Sequence, residues 1–471
     1  SFSANTTSQT INRTNASNND IQVGNLTASL NNTGKVIEFA LNNATSSNST
    51  VVVGPGEYNL TDSSPQGDQP VGPIEIRSGS TSSISVFAHN TTSPSRTEIN
   101  TTVDLNNLTK VSSTDLETLS VGVPSSGAPS DAGGIFFNSS QATNPGDALN
   151  VTDTADSFSL TFENNNVSVG SADGVVFNGQ STAPSVTVNS NTLTGVTSFV
   201  NITGVVDNAT VSGSITGNGE TGLNFTNSSA NLTVDGLSLN DLGDGVNVTD
   251  ADTSVDLSSV TTDNTTNGLV TTGSSFDVTV TSSSSFSNDG TALNVSHGGN
   301  VTVDSTTTIS DATIGVNLNT TGNFANLDPT INNATTVGVR STSNSTNVTL
   351  SSATFDGSGA SGDIGLNFTA NSTQTSLSVG SGTSFTGLDD AAIQLNTNRP
   401  DNIVGNVTID GATFADSSGD GVNITSGFGN ETVITDATFN NVSTGVNVDS
   451  VVSGFNLTAH FNSFTDNTNG V

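Results

Sequence analysis

Gly421-Val422-Asn423-Ile424, Glu431-Thr432-Val433-Ile434, Ala437-Thr438-Phe439 and then Gly445-Val446-Asn447-Val448 are the runs on which the fold turns. Within each run apolar residues alternate with polar ones, the period-two pattern of a strand with one face buried. Gly, Asn, Asp and Ser separate the runs, and none is long enough for a self-supporting helix. Three short strands, then a restart of the same motif about every 23 to 30 residues, describe one coil of a solenoid.

The frame extends backwards through most of the chain. First-strand segments begin at Gly174-Val175, Gly222-Leu223, Gly245-Val246, Gly268-Leu269, Leu293-Asn294, Gly315-Val316, Gly338-Val339, Gly365-Leu366 and Ile393-Gln394. The third strand closes on one large apolar residue per coil: Leu193, Ile215, Leu239, Val260, Phe286, Ile309, Ile331, Phe355, Phe385, Phe414, Phe439 and Phe464. Two markers that keep step over roughly twelve coils predict an all-β, parallel solenoid of three strands per coil with an apolar ladder along its core.

Composition bounds the setting. Cysteine, methionine and tryptophan are absent. Disulfides therefore contribute nothing, and Ser1 reads as the start of a processed, exported chain. No apolar run is long enough for a transmembrane helix. Seven Lys plus Arg stand against 42 Asp plus Glu, a formal charge of −35. So much like charge repels itself until salt screens it, and molar salt shortens the screening length to about 3 Å. Scarce lysine, abundant acid and few aromatics resemble the proteins of extreme halophiles, of archaeal type; the other reading is an acidic, calcium-dependent secreted protein of ordinary seawater. Nucleic acid is disfavoured as a partner, because phosphate neutralisation needs clustered Lys and Arg.

Three regions follow in order. Residues 1–33 are rich in Asn, Thr and Ser and read as a flexible or extended arm. Residues 34–145 open on Gly34-Lys35-Val36-Ile37-Glu38-Phe39-Ala40-Leu41, where Val36, Ile37, Ala40 and Leu41 share one face of a short helix; most of the eleven prolines follow, implying irregular coils. Residues 146–471 carry the regular coils. The helix, the strand Val51-Val52-Val53 and the turn Gly54-Pro55-Gly56-Glu57-Tyr58 together resemble the N-terminal cap of right-handed parallel β-helix proteins of the pectin-lyase-like class. The resemblance runs from Gly34 onward and implies a right-handed β-helix with a short N-terminal capping helix. Such a cap would cover an end that otherwise invites edge-to-edge association.

Asn-X-Ser/Thr acceptor motifs are in excess: roughly 34 occur, where about 19 are expected from composition. They recur at fixed places in the coil. One column is the outward residue of the first strand, at Asn224, Asn247, Asn294, Asn367 and Asn423. Another opens the second strand, at Asn208, Asn231, Asn300, Asn347, Asn406, Asn430 and Asn456. Outward strand positions are accessible to a glycosyltransferase, so covalent N-linked glycans in stripes are expected. Any single motif is also explained by Asn serving turns and Thr serving strands.

Enzymes of the resembled class place their catalytic groups on the outward face of the first sheet, using an Arg or Lys base with calcium-bound acids, or paired aspartates with a histidine. That face here offers a row of asparagines interrupted by Arg340 and Gln394. Arg340 is the one catalytic candidate, although on so acidic a surface it reads rather as an ion-pair partner. Asp363, Asp390 and Asp420, with Asp389 adjacent, precede that strand in consecutive coils. At a spacing of about 4.8 Å their charges would clash unless a cation such as calcium sat among them; Asp also suits a tight turn for its own sake. No cofactor is otherwise implied, and His89, His297 and His460 lack a recognisable triad.

The expectation is therefore an extracellular, N-glycosylated structural protein of the cell surface, with catalysis not its expected role. The last residues, Asn469-Gly470-Val471, read as the opening of a further coil, which favours head-to-tail self-association into a homopolymer, a filament or a surface layer, with the 1–33 arm as an assembly strand. A polysaccharide lyase or hydrolase and a carbohydrate-binding adhesin, including a virus attachment spike, are the alternatives, with surface polysaccharide as partner.

Overall fold

The structure, a computed structural model, describes residues 12–14, 20–23, 34–42, 49–53, 56–59, 74–76, 83–89, 97–100, 107–111, 116–123, 132–138, 147–152, 158–170, 172–179, 185–194, 198–204, 208–216, 221–229, 231–251, 254–273, 275–296, 298–319, 324–342, 347–357, 363–370, 375–397, 406–425, 431–449 and 455–471. Two compact units divide the chain, Ser1–Thr233 and Val234–Val471. Both are all-β parallel solenoids, with about 11 turns in total and almost no helix.

In the second unit the opening motif behaves as its alternation demands. Strand Asp420–Ile424 pairs in parallel with Val446–Val448, Glu431–Thr435 with Asn456–His460, and Thr438–Val442 with Ser463–Thr465. The first-strand apolar residues Val246, Leu269, Leu293, Val316, Val339, Leu366, Ile393, Val422 and Val446 follow one another as direct partners, all buried. The residue just before them is small for a steric reason. At Gly421 a Cβ would lie 2.6 Å from the Gly445 carbonyl oxygen and 2.6 Å from the Phe439 ring, so glycine lets the strand close over the aromatic column.

That column is the spine of the core. Phe286, Ile309, Ile331, Phe355, Phe385, Phe414, Phe439 and Phe464 are successive partners. From Phe355 onward the rings stack with centroids 4.6–5.2 Å apart and planes within 9° of parallel, close to the strand spacing that generates them. One rung differs from expectation. Thr262, not Val260, is the partner of both Leu239 and Phe286. A polar residue is tolerated there because its hydroxyl donates to Asp289 Oδ2 at 2.6 Å, while Val260 is buried two residues earlier.

The first unit has a column of its own that reaches further towards the N-terminus than the sequence pattern suggested. Tyr58, Ile99, Phe137, Val167, Leu193 and Ile215 are successive partners. Two buried asparagines hold the corner beside it. Asn191 Oδ1 accepts from Asn165 N at 2.8 Å and its Nδ2 donates to the Phe162 carbonyl at 2.8 Å. Asn165 repeats this one coil earlier, accepting from Ile135 N and donating to the Val121 carbonyl, both at 3.0 Å. Turning the chain inward leaves backbone groups out of the ladder, and a primary amide supplies one donor and one acceptor to satisfy them.

A helix spans Gly34–Asn42, with Ile37, Ala40 and Leu41 buried; the Val36 side chain lies outside the described residues. The helix sits against strand Ile74–Ile76. Glu75 N donates to Glu38 Oε2 at 2.8 Å, and Asn42 Nδ2 donates to the Glu75 carbonyl at 2.8 Å. The helix side chains thus satisfy the backbone of a strand whose ladder partner, Asn107–Val111, lies on its other side. Part of the 1–33 arm is strand: Asn12–Thr14 pairs antiparallel with Asp20–Val23, which runs parallel to Ser49–Val53 of the same chain.

Candidate functional site

The outward row of the first strand is a hydrogen-bonded amide column. In the second unit Asn247, Val270, Asn294, Asn317, Arg340, Asn367, Gln394, Asn423 and Asn447 are successive partners. Asn317 Nδ2 donates to Asn294 Oδ1 at 3.0 Å and Asn367 Nδ2 to Gln394 Oε1 at 3.0 Å. In the first unit Asn224 Nδ2 donates to Asn201 Oδ1 at 3.1 Å. The five acceptor asparagines expected on this face, Asn224, Asn247, Asn294, Asn367 and Asn423, are half-buried rather than freely projecting. Coils stacked at strand spacing bring like amides within bonding distance, and each primary amide can both donate and accept. Arg340 occupies its expected place, half-buried between Asn317 and Asn367.

The second-strand acceptors are less uniform. Asn208, Asn231, Asn406 and Asn456 are exposed, whereas Asn300 and Asn347 are half-buried. Asn347 Oδ1 accepts from Ser376 Oγ at 2.5 Å, and Asn300 Oδ1 is buried without a hydrogen-bond partner. Asn430 lies outside the described residues; the partner of Asn456 is Glu431.

A third column escaped the sequence reading. Two residues after each third-strand apolar residue stands Asp, Asn or Gly, and most of these take a left-handed backbone: Asp241 (φ 57°), Asn264 (58°), Asn288 (54°), Asp311 (57°), Asn333 (57°), Asp416 (50°), Asn441 (55°) and Asp466 (56°). These residue types tolerate that conformation. Their side chains bond between coils: Asn264 Nδ2 donates to Asp241 Oδ1 at 2.7 Å, Asn333 Nδ2 to Asp311 Oδ1 at 2.5 Å and Asn441 Nδ2 to Asp416 Oδ1 at 2.9 Å. Each bond places an amide against a carboxylate rather than one carboxylate on the next. Asn264, Asn333 and Asn441 are themselves acceptor motifs. Their constant offset from the apolar ladder was the available signal.

The four aspartates considered for calcium occupy consecutive coils, joined through their backbones. Asp390 N donates to the Asp363 carbonyl and Asp420 N to the Asp390 carbonyl, each at 3.1 Å. Protein donors meet several of the carboxylates: Asp389 N reaches Asp363 Oδ1 at 2.5 Å, Ser418 Oγ reaches Asp389 Oδ1 at 2.5 Å, and Asn447 Nδ2 reaches Asp420 Oδ2 at 2.9 Å. Asp363 Oδ2 is buried without a hydrogen-bond partner. Among the described residues no group of three or more His, Cys, Asp or Glu is placed to hold a metal ion. A cavity of about 20 Å³ in the first unit is lined by core side chains, among them Ile37, Leu41, Ile74 and Phe137.

Burial sets the protonation of three carboxyls. It raises Asp147 above the ordinary 3.8, helped by the charge of Asp173 and opposed by bonds from Asn150 and Asp173 N. Burial likewise raises Asp289 against donors on Thr262 and Thr265, and Asp363 against the Asp389 backbone. At Asp304 burial also pulls upward, but bonds from Thr306, Ser282 and Thr307 outweigh it and lower the value. The three raised groups favour the neutral form in the folded chain. Their contribution is full below pH 3.8 and is lost as pH rises through the raised values; that of Asp304 is present above 3.8 and lost only as pH falls through its lowered one. Between neutrality and about pH 4 the melting temperature at constant salt is therefore expected to rise on acidification, and Asp289→Asn to flatten part of that rise. A melting temperature that falls steadily from pH 7 to about 4.5 would contradict this account of the buried carboxyls.

No known protein family matches the chain, and no curated protein is similar to it. Among the described residues no helix is long and apolar enough to cross a membrane.

Proposed function

We propose that the chain is an extracellular, N-glycosylated structural element of a cell surface, in the acidic, salt-adapted style of a halophilic archaeon. The reading includes a right-handed coil of three strands, capped by the helix Gly34–Asn42, and head-to-tail self-association into filaments or a surface layer. The observation that carries it is the use of the outward residues. Column after column is given to amides and carboxylates that bond from coil to coil, as in Asn317–Asn294 and Asn264–Asp241, and acceptor motifs are built into the same repeat. Such a surface displays hydrogen-bonding groups and charge in an inextensible array, a physical rather than a chemical task. The side chains of Glu38 and Asn42 on the backbone of Glu75 support the capping role.

The second reading, a surface that binds or cleaves acidic polysaccharide, would draw on Arg340, the cation in the outward column of the second unit. Its direct partners there are Asn317 and Asn367, so the column offers it no carboxylate with which to share a proton.

Electron cryo-microscopy of the secreted chain in molar salt tests the reading: filaments or sheets are expected. Single particles that turn over an acidic polysaccharide would replace it with the second. Salt dependence is a further check. With 42 acidic and seven basic residues, dilution from molar to about 10 mM salt is expected to lower the melting temperature by on the order of 10 °C, as the screening length grows from about 3 to 30 Å. An unchanged melting temperature would remove the halophilic element.

A further inference from the structure

One outward column of the second unit changes character at a single rung. The first outward position of the second strand is Ser254, Asp277 and Asn300 in successive coils, then Phe324, then Asn347 and Ser376, as the register of their strands places them. An aromatic ring thus stands in a run of hydroxyl, carboxylate and amide side chains. Phe324 is 53 % exposed, and the other exposed large apolar side chains among the described residues all stand at or beyond Val448. Fraying does not account for it. Strand Phe324–Leu327 buries Ala325 and Leu327 and is paired on both sides, so the period of two turns Phe324 and Asn326 outward. A slip of one residue would bury Phe324 only by burying Asn326 with it and exposing Ala325 and Leu327.

A single exposed phenylalanine carries no message by itself; its neighbours do. Asn347, its direct register partner, opens the acceptor motif Asn347-Val348-Thr349, and Asn300, one coil earlier, opens Asn300-Val301-Thr302. Asn347 Oδ1 accepts from Ser376 Oγ at 2.5 Å, on the side away from Phe324, which turns Nδ2 away from Ser376. Asn300 lacks such an orienting bond, since its Oδ1 is buried without a hydrogen-bond partner. Modification leaves the bond between Asn347 and Ser376 in place. Nδ2 joins the anomeric carbon of a phosphate-activated saccharide supplied by a transferase, the phosphate departs with the electron pair of the broken C–O bond, and Nδ2 gives up one proton to a base. The modified side chain then stands one coil, about 4.8 Å, from Phe324. Rings on adjacent coils of this unit already pack face to face at such a spacing, Phe355 on Phe385 at 4.6 Å and Phe385 on Phe414 at 5.2 Å. A pyranose offers a face of C–H bonds whose positive ends suit the negative face of an aromatic ring.

We propose that Phe324 is a stacking platform for the first sugar of an N-linked glycan on Asn347, so that the saccharide covers the exposed ring and is held against the sheet. The proposal deepens the glycoprotein reading above and rests on it.

Its test is the full chain secreted from a host that performs N-glycosylation. Occupancy is mapped by peptide mass spectrometry, and the rate at which a glycan-releasing amidase clears each asparagine is followed on the folded protein at fixed salt. Asn347 is expected to be occupied and to be cleared several-fold more slowly than in Phe324→Ser, serine being the residue at two other rungs of the column. Phe324→Tyr keeps the flat face and should clear as slowly as the unaltered chain; Phe324→Leu, apolar but not flat, should clear as fast as Phe324→Ser. Asn456, whose register partner is Glu431, serves as internal control, with the same rate in every variant. Equal rates at Asn347 in the unaltered chain and in Phe324→Ser overturn the proposal, as does a Phe324→Leu variant as slow as Phe324→Tyr. Sugar at Asn456 with Asn347 bare overturns it while leaving the glycoprotein reading in place; bare asparagine at every motif overturns both. Should Phe324→Ser fail to be secreted, Phe324→Tyr against Phe324→Leu decides.

Discussion

Phe414→Ala is expected to lower the unfolding free energy by about 3–5 kcal/mol, measured by denaturant unfolding followed by circular dichroism in high salt. Phe414 is fully buried, with Phe385 stacked at 5.2 Å on one side and Phe439 at 4.6 Å on the other. Removing the ring loses its transfer free energy and two aromatic contacts, each worth about 0.5–1.5 kcal/mol beyond area. The gap cannot collapse easily. Neighbouring rings are held by their own strands, which pair in register through Phe385, Phe414 and Phe439. Because coils contact only their neighbours, the loss should appear first as early unfolding of the adjacent coils. Phe414→Leu should cost less, since Ile309 and Ile331 fill other rungs of the ladder. A loss below about 1 kcal/mol for alanine would mean the stack is not the stabilising spine proposed.

Asn191→Leu is expected to be comparably damaging, by about 2–6 kcal/mol, although it replaces a polar core residue with an apolar one of similar size. Asn191 is 1 % exposed and serves two backbone groups, Asn165 N and the Phe162 carbonyl. Leucine would fill the space and leave both without a partner, each at about 1–3 kcal/mol. The consequence can be read at one atom. Amide hydrogen exchange at Asn165 should accelerate strongly in the variant, ahead of any global unfolding. Unchanged protection there, with stability unchanged, would show that water or a shifted strand replaces the side chain. The sequence marks this residue as an ordinary turn asparagine, which it is not.

That contrast runs through the molecule. The alternation in Gly421–Ile424 and its recurrence at Gly445–Val448 determined by themselves that the chain is a β-solenoid, because period two and coil length are local properties written into consecutive residues. The Phe355 to Phe464 ladder was legible for the same reason, and the Asp, Asn or Gly two places after each rung would have been. Thr262 was not: its place in the core depends on Asp289, 27 residues on, whose carboxylate reaches it only after the coils stack. Nor could the sequence show that the acceptor asparagine Asn441 gives its amide proton to Asp416, 25 residues earlier. Asp389 and Asp420 likewise look like unmet charges until the donors of Ser418 and Asn447 are in place, whereas buried Asp363 keeps Oδ2 without a hydrogen-bond partner. Local pattern fixes which face of a strand is buried, whereas the partner of each side chain lies one coil away and is chosen by register. Hydrogen-bond occupancy, and with it the chemistry left available on the surface, is decided only by the tertiary structure.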